Sequence, residues 1–167
     1  MLYRFIAYLR FILSSTNQHG VHSPFMYAYV TKCLYQRSKF KGGKNIKSLF
    51  KSIVYFKARN IFIPSNEDAL IDRIKEAFPN IETNQQPADI IYLHTPNKVL
   101  FANILKEGTY HNDSMVWIDK IHYNKENTCL WEALKNHAKV TVSVDLFYCG
   151  ALFFRREQAK EHFKIRI

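Results

Sequence analysis

The residues of this chain best suited to chemistry cluster near its two-thirds point. Asp119-Lys120-Ile121-His122 sets a carboxylate and an imidazole three positions apart, just after an apolar run. A carboxylate that orients an imidazole can draw a proton from a substrate hydroxyl, so Asp119 and His122 are the candidate base and orienting partner. The competing use of such residues is to satisfy free backbone amides in the loop before a helix. The seven histidines are scattered, with no HExxH run and no paired Cys/His spacing, so no zinc site is expected. Ser23 stands before Pro24 without a glycine elbow and reads as a helix cap rather than a nucleophile. Cys33, Cys129 and Cys149 are odd in number and far apart. They form neither a disulfide framework nor a zinc pattern, and are read as reduced thiols of a soluble, cytoplasmic protein.

Composition limits what can position these groups. Of 167 residues, 47% are apolar and 15% aromatic, enough large side chains to exclude a disordered tail. Leu2 to Leu13 is too short, and too interrupted by Arg4 and Arg10, to span a bilayer, and it lacks the pattern of a signal peptide. Lys and Arg total 24 against 14 Asp and Glu, a net charge of +10. Residues 1–60 hold eleven of the basic residues and no acid; Glu67 is the first carboxylate. Such a block suits nucleic acid, anionic lipid or an acidic partner alike, or simply a solvated face. Lys44, Lys47 and Lys51, at helical spacing, are its candidate polyanion contacts.

The hydropathy pattern predicts helices over the first third. Leu2, Phe5, Ile6, Leu9, Ile12 and Leu13 recur at helical spacing, Ser23-Pro24 opens a second helix, and Ile46, Leu49, Phe50, Ile53 and Val54 mark the inward face of a third. From residue 58 the period shortens. Buried strands are expected at 60–63, 89–93 and 115–118, alternating with helices that begin after Ser65 (an S-x-x-D capping box), near Val99 and at Asn124. Residues 139–146 alternate strictly and predict a half-exposed strand, paired antiparallel with 151–154. The expected architecture is one compact α/β unit: an N-terminal helical region, 1–57, on a reduced Rossmann-like core, 58–167, whose mostly parallel sheet ends in an antiparallel hairpin. Ligands of such sheets bind beyond the carboxyl ends of the strands.

At its two ends the chain resembles the class I S-adenosylmethionine-dependent methyltransferases, in a short form common in Bacteroidetes. Asn17-Gln18-His19-Gly20-Val21-His22-Ser23-Pro24-Phe25 is similar to the N-terminal signature of that form, and Lys139 to Phe163 to its closing hairpin and tail. Trp117 to Tyr123 completes the family's order along the whole chain. The resemblance implies S-adenosylmethionine as cofactor, held by the loop Ile63, Pro64, Ser65 and Asn66 and by His94, with Asp119 and His122 at the substrate end.

The middle departs from that family. Its first strand leads into a Gly-rich loop, because bare backbone must approach the cofactor closely, whereas Ile63-Pro64-Ser65-Asn66-Glu67-Asp68 has no glycine. The 23 residues from Asn66 to Ala88 leave room for one helix and a loop, so the second strand and its ribose-binding acid are expected to be deleted. His94 stands where the family has Asp, and the family's paired acids become Asp119-Lys120, too few hard oxygens for Mg²⁺ or Ca²⁺. A degenerate methyltransferase-like protein with lost or weak cofactor binding is therefore the first reading. An active small-molecule O-methyltransferase with an eroded site, and a basic nucleic-acid or anionic-surface binder, are the alternatives. A deleted strand would also expose a sheet edge to pairing with a second copy. Neither substrate nor partner is legible.

Overall fold

The computed structural model describes residues 2–64, 67–106 and 108–167. Seven strands form one sheet: β1 (Asn60–Phe62), β2 (Glu82–Thr83), β3 (Ala88–Leu93), β4 (Tyr110–Asp119), β5 (Val142–Asp145), β6 (Cys149–Phe153) and β7 (Glu161–Lys164), in the spatial order β2-β1-β3-β4-β6-β5-β7. β6 runs antiparallel between β4 and β5, and the other pairings are parallel. The fold is thus α/β and mostly parallel, with N-terminal helices and a closing antiparallel pair, as the hydropathy pattern predicts.

Among the described residues, six α-helices accompany the sheet: α1 (Leu2–Ser14), α2 (Pro24–Tyr29), α3 (Lys44–Tyr55), α4 (Asp68–Ala77), α5 (Lys98–Ile104) and α6 (Lys125–Lys135). Their starts follow local chemistry. Ser23 accepts from the Met26 amide, with Pro24 in the first turn; Asn97 and Asn124 accept from the Leu100 and Asn127 amides. The Ser65 cap expected for α4 lies outside the described residues. α2 runs on into a π-helical turn, Val30–Leu34.

Period-two alternation divides the core. Ile90 and Tyr92 of β3, Met115 and Trp117 of β4, and Cys149, Ala151 and Phe153 of β6 face α2, α3 and α4, through Tyr29, Leu49, Ile53, Leu70 and Ile74. Ile91, Leu93, Val116, Ile118 and Leu152 face α5 and α6, through Phe101, Ile104, Trp131 and Leu134. Gly150 belongs here for steric reasons, since a Cβ on it would stand 2.5 Å from the fully buried Trp131 ring.

Three expectations are corrected. The second strand is not deleted: β2 survives as two residues, pairing Glu82 with Asn60 and Thr83 with Ile61. The stretch is long enough for α4 and a minimal strand because residues 84–87 return to β3 without a second helix. The strand at 142–145 is buried throughout rather than half-exposed, because its polar residues are covered. Ser143 bonds to His162 at 2.8 Å and Asp145 to His122. β7, which supplies the cover over Ser143, carries no strong strand signal in sequence. Finally, Val54 points to solvent instead of the core.

Candidate active site at the carboxyl edge of the sheet

The chain passes from β1 to β2 on one side and returns to β3 on the other, so the strand order reverses between β1 and β3. In such sheets the crevice at that reversal is the usual ligand site. Ile63 and Pro64 follow β1 there, and His94 follows β3. Ser65 and Asn66, expected to hold cofactor, lie outside the described residues.

The described groups of this crevice engage one another. The Ile63 amide donates to Asn84 Oδ1 at 3.3 Å, and Asn84, just past β2, stands where a ribose-binding acid would be required. Glu82 sits one step too early, at the exposed start of β2. His94 Nε2 lies 2.5 Å from Lys120 Nζ, while its Nδ1 is 3.1 Å from Glu67 Oε1, ion-pair distance without hydrogen-bond geometry. Lys120 reaches back because its φ of 55° turns the chain sharply after β4, a conformation costing a non-glycine residue about 1 kcal/mol. Among the described residues of the crevice, the Ile63 amide is taken, Asn84 rather than an acid follows β2, and Lys120 occupies the end of β3.

A second depression of about 410 Å³ lies beside the crevice, lined by Arg4, Lys44, Asp119, His122, Tyr123 and Tyr148 among others. Asp119 ends β4 and is buried. Its Oδ2 accepts from Asn45 Nδ2 at 2.7 Å and its Oδ1 from the Lys120 amide at 2.8 Å. Burial still pushes its carboxyl up from the ordinary range, against the pull of those two donors. The neighbouring Tyr92 phenol is pushed up as well, by burial first and then by the Asp119 charge.

Asp119 and His122 therefore share a cavity, but Asp119 is not the partner of the imidazole. His122 Nε2 is bonded to Asp145 Oδ2 at 2.7 Å, its Nδ1 to Thr128 Oγ1 at 3.1 Å, and its ring stacks on Phe147. With both nitrogens engaged, His122 is built as a latch between β5 and α6, while Asp119, its two oxygens bonded to Asn45 and the Lys120 amide, lines the same cavity. A wider depression of about 650 Å³ lies at the opposite edge, by Tyr110 at the start of β4, away from these residues.

Lys44, Lys47 and Lys51 flank a shallow depression together with Arg166. Two of the three are committed to carbonyls. Lys44 donates to Ile167 O at 2.6 Å, and Lys51 donates to Leu34 O and, at 3.2 Å, to Gln36 O, capping the π-helical turn. Partial burial lowers the Lys51 ammonium from its usual value. Cys33 and Cys149 are buried thiols and Cys129 an exposed one, all unpaired.

Sequence reasoning missed Asn45, Glu67, Asn84 and Asp145. Asp145 carried a signal, since it ends β5 at the same edge where Asp119 ends β4; Asn45 and Asn84 carried none. Among the described residues no three His, Cys, Asp or Glu side chains converge to hold a metal ion. Among the described residues, no helix is long and apolar enough to cross a membrane. No known protein family, curated protein or solved structure matches this chain.

Proposed function

We propose that the protein is a methyltransferase-type α/β domain that no longer uses S-adenosylmethionine and instead binds a small anionic, ring-bearing molecule in the cavity over Asp119. The observation that carries this reading is the self-pairing of the crevice, where Asn84 takes the Ile63 amide and Lys120 takes His94. The strand order supports descent from the family resembled, because an antiparallel β6 lies between β4 and β5 and only the outermost strand beyond β2 is lacking. The cavity has the size of a small-molecule site. Arg4 and Lys44 supply positive charge, each close to an aromatic ring, Tyr123 and Tyr148 respectively. Asp119 lies at the floor, held ready to accept a hydroxyl proton.

Titration with 4-hydroxybenzoate, followed through backbone amide NMR, tests the reading. Shifts at Asn45, Lys120 and Tyr148 that vanish in Lys44→Glu are expected. Shifts confined to other parts of the chain, or none, contradict it. The raised carboxyl of Asp119 also favours a second reading, retained O-methyl transfer with Asp119 as base. Methyl transfer from labelled S-adenosylmethionine to any hydroxylated substrate would establish it.

A further inference from the structure

The face of α1 that the body does not use is its most apolar one. Leu2, Phe5, Ile6, Leu9 and Leu13 are 72%, 61%, 39%, 46% and 87% exposed. At helical periodicity these five fall within an arc of roughly 100°, the width a helix normally buries in a core. The opposite side does the docking. Phe11 is buried, and Phe11 and Tyr8 pack edge-on or tilted against Phe147 at 5.5 and 4.9 Å. The end of the helix is pinned where Thr16 bridges Ile165. α1 is therefore fixed to the body by one apolar side while a second, wider one faces outward. A contiguous outward patch of this kind marks an interaction surface rather than ordinary surface composition.

Charge identifies what covers it. Arg4 and Arg10 lie on α1, the helix has no acid, and none occurs before Glu67. Lys125 and Lys164 border the groove alongside Ile6 and Arg10, where Glu132 and Asp145 are the acids, Asp145 already paired to His122. A second copy would bring two acid-free, positively charged helices together, which electrostatics opposes. An anionic lipid surface meets both demands at once. Thirteen residues make a helix of about 20 Å, too short to span the hydrocarbon layer but suited to lying in its interface.

We propose that α1 is an interfacial anchor that lays Leu2, Phe5, Ile6, Leu9 and Leu13 into the headgroup boundary of an anionic membrane. Arg10, which borders the apolar arc, contacts lipid phosphates. Arg4 lies on the docked side of the helix, against Tyr123 and the Asp119 cavity.

Co-sedimentation of the full chain with phosphatidylcholine vesicles, with and without phosphatidylglycerol, tests this. Binding is expected to the anionic vesicles only, to fall with added salt, and to weaken at least about tenfold in the double variant Phe5→Glu/Leu9→Glu. Both substituted side chains are exposed, so an unchanged melting temperature is the control that the variant remains folded. Equal binding of the variant and the parent chain overturns the proposal, as does failure of the parent to bind anionic vesicles at low salt. A parent dimer that the same variant converts to a monomer, seen by light scattering, also overturns it, because the face then belongs to a second copy.

Discussion

Asp145 Oδ2 lies 2.7 Å from His122 Nε2, joining the last residue of β5 to the loop that follows β4. The other carboxylate oxygen, Oδ1, accepts from the Phe147 amide at 2.8 Å, at a residue whose φ is 70°. One buried carboxylate thus holds an imidazole and a tight turn together. Removing one partner of a buried hydrogen bond typically costs about 1–3 kcal/mol, because the other is left unsatisfied. Asp145→Ala should therefore lower the unfolding free energy by about that much in urea titration, and Asp145→Asn by less. A loss below about 1 kcal/mol for the alanine variant would assign the pair to function rather than to the fold.

Asp119 behaves in the opposite way. Its carboxyl is raised by burial, so the folded state holds the proton more tightly than the unfolded state does. Stability from this group is present below the unfolded carboxyl value and is lost as pH rises through the raised folded value. Asp119→Asn keeps an oxygen for the Lys120 amide, and its new NH2 is met by the Asn45 oxygen once that side-chain amide turns over, while the buried charge is removed. The variant should melt higher than the parent chain at neutral pH, with the difference closing as pH falls into the acid range. Melting curves across that range check this; a variant less stable at neutral pH contradicts it.

Gly150 should tolerate no side chain. Its φ is ordinary, so the constraint is space alone: the missing Cβ would meet three atoms of the Trp131 ring at 2.5, 2.8 and 2.9 Å. Trp131 is fully buried and cannot swing into solvent without opening the α6 layer. Gly150→Ala is expected to cost about 1–3 kcal/mol by overpacking, read as a lower midpoint in chemical denaturation. An unchanged midpoint would mean that α6 shifts freely.

Much of the fold was legible because its signals are local. The caps at Ser23 and Asn124, and the buried runs of β3 and β4, state their own conformation. The two-residue β2 and the late strand β7 were not legible, since neither has a hydrophobic period long enough to register. β5 was legible as a strand but not in its burial, which depends on His162 arriving from β7. At the site, spacing singled out Asp119 and His122 as base and orienting partner, and both line one cavity without bonding to each other. Their partners were not legible, because Asn45 and Asp145 lie 74 residues before Asp119 and 23 residues after His122. Sequence spacing carries no information on pairings made by packing across the sheet edge. The outward face of α1 illustrates the same limit, since helical periodicity reveals an apolar stripe but not whether the body lies beneath it.

The central claim is that the crevice between β1 and β3 has been closed to S-adenosylmethionine by its own side chains. Isothermal calorimetry of the full chain with S-adenosylmethionine, and with S-adenosylhomocysteine, tests this most directly. On the proposed reading, the Asn84 contact to Ile63 and the Lys120 contact to His94 replace contacts to the cofactor, each such loss being worth about 1–3 kcal/mol. Together they should move an ordinary micromolar affinity past about 1 mM, leaving no saturable heat with either compound. A saturable isotherm with a dissociation constant of a few micromolar or tighter would contradict the account and return Asp119 to the role of base in methyl transfer.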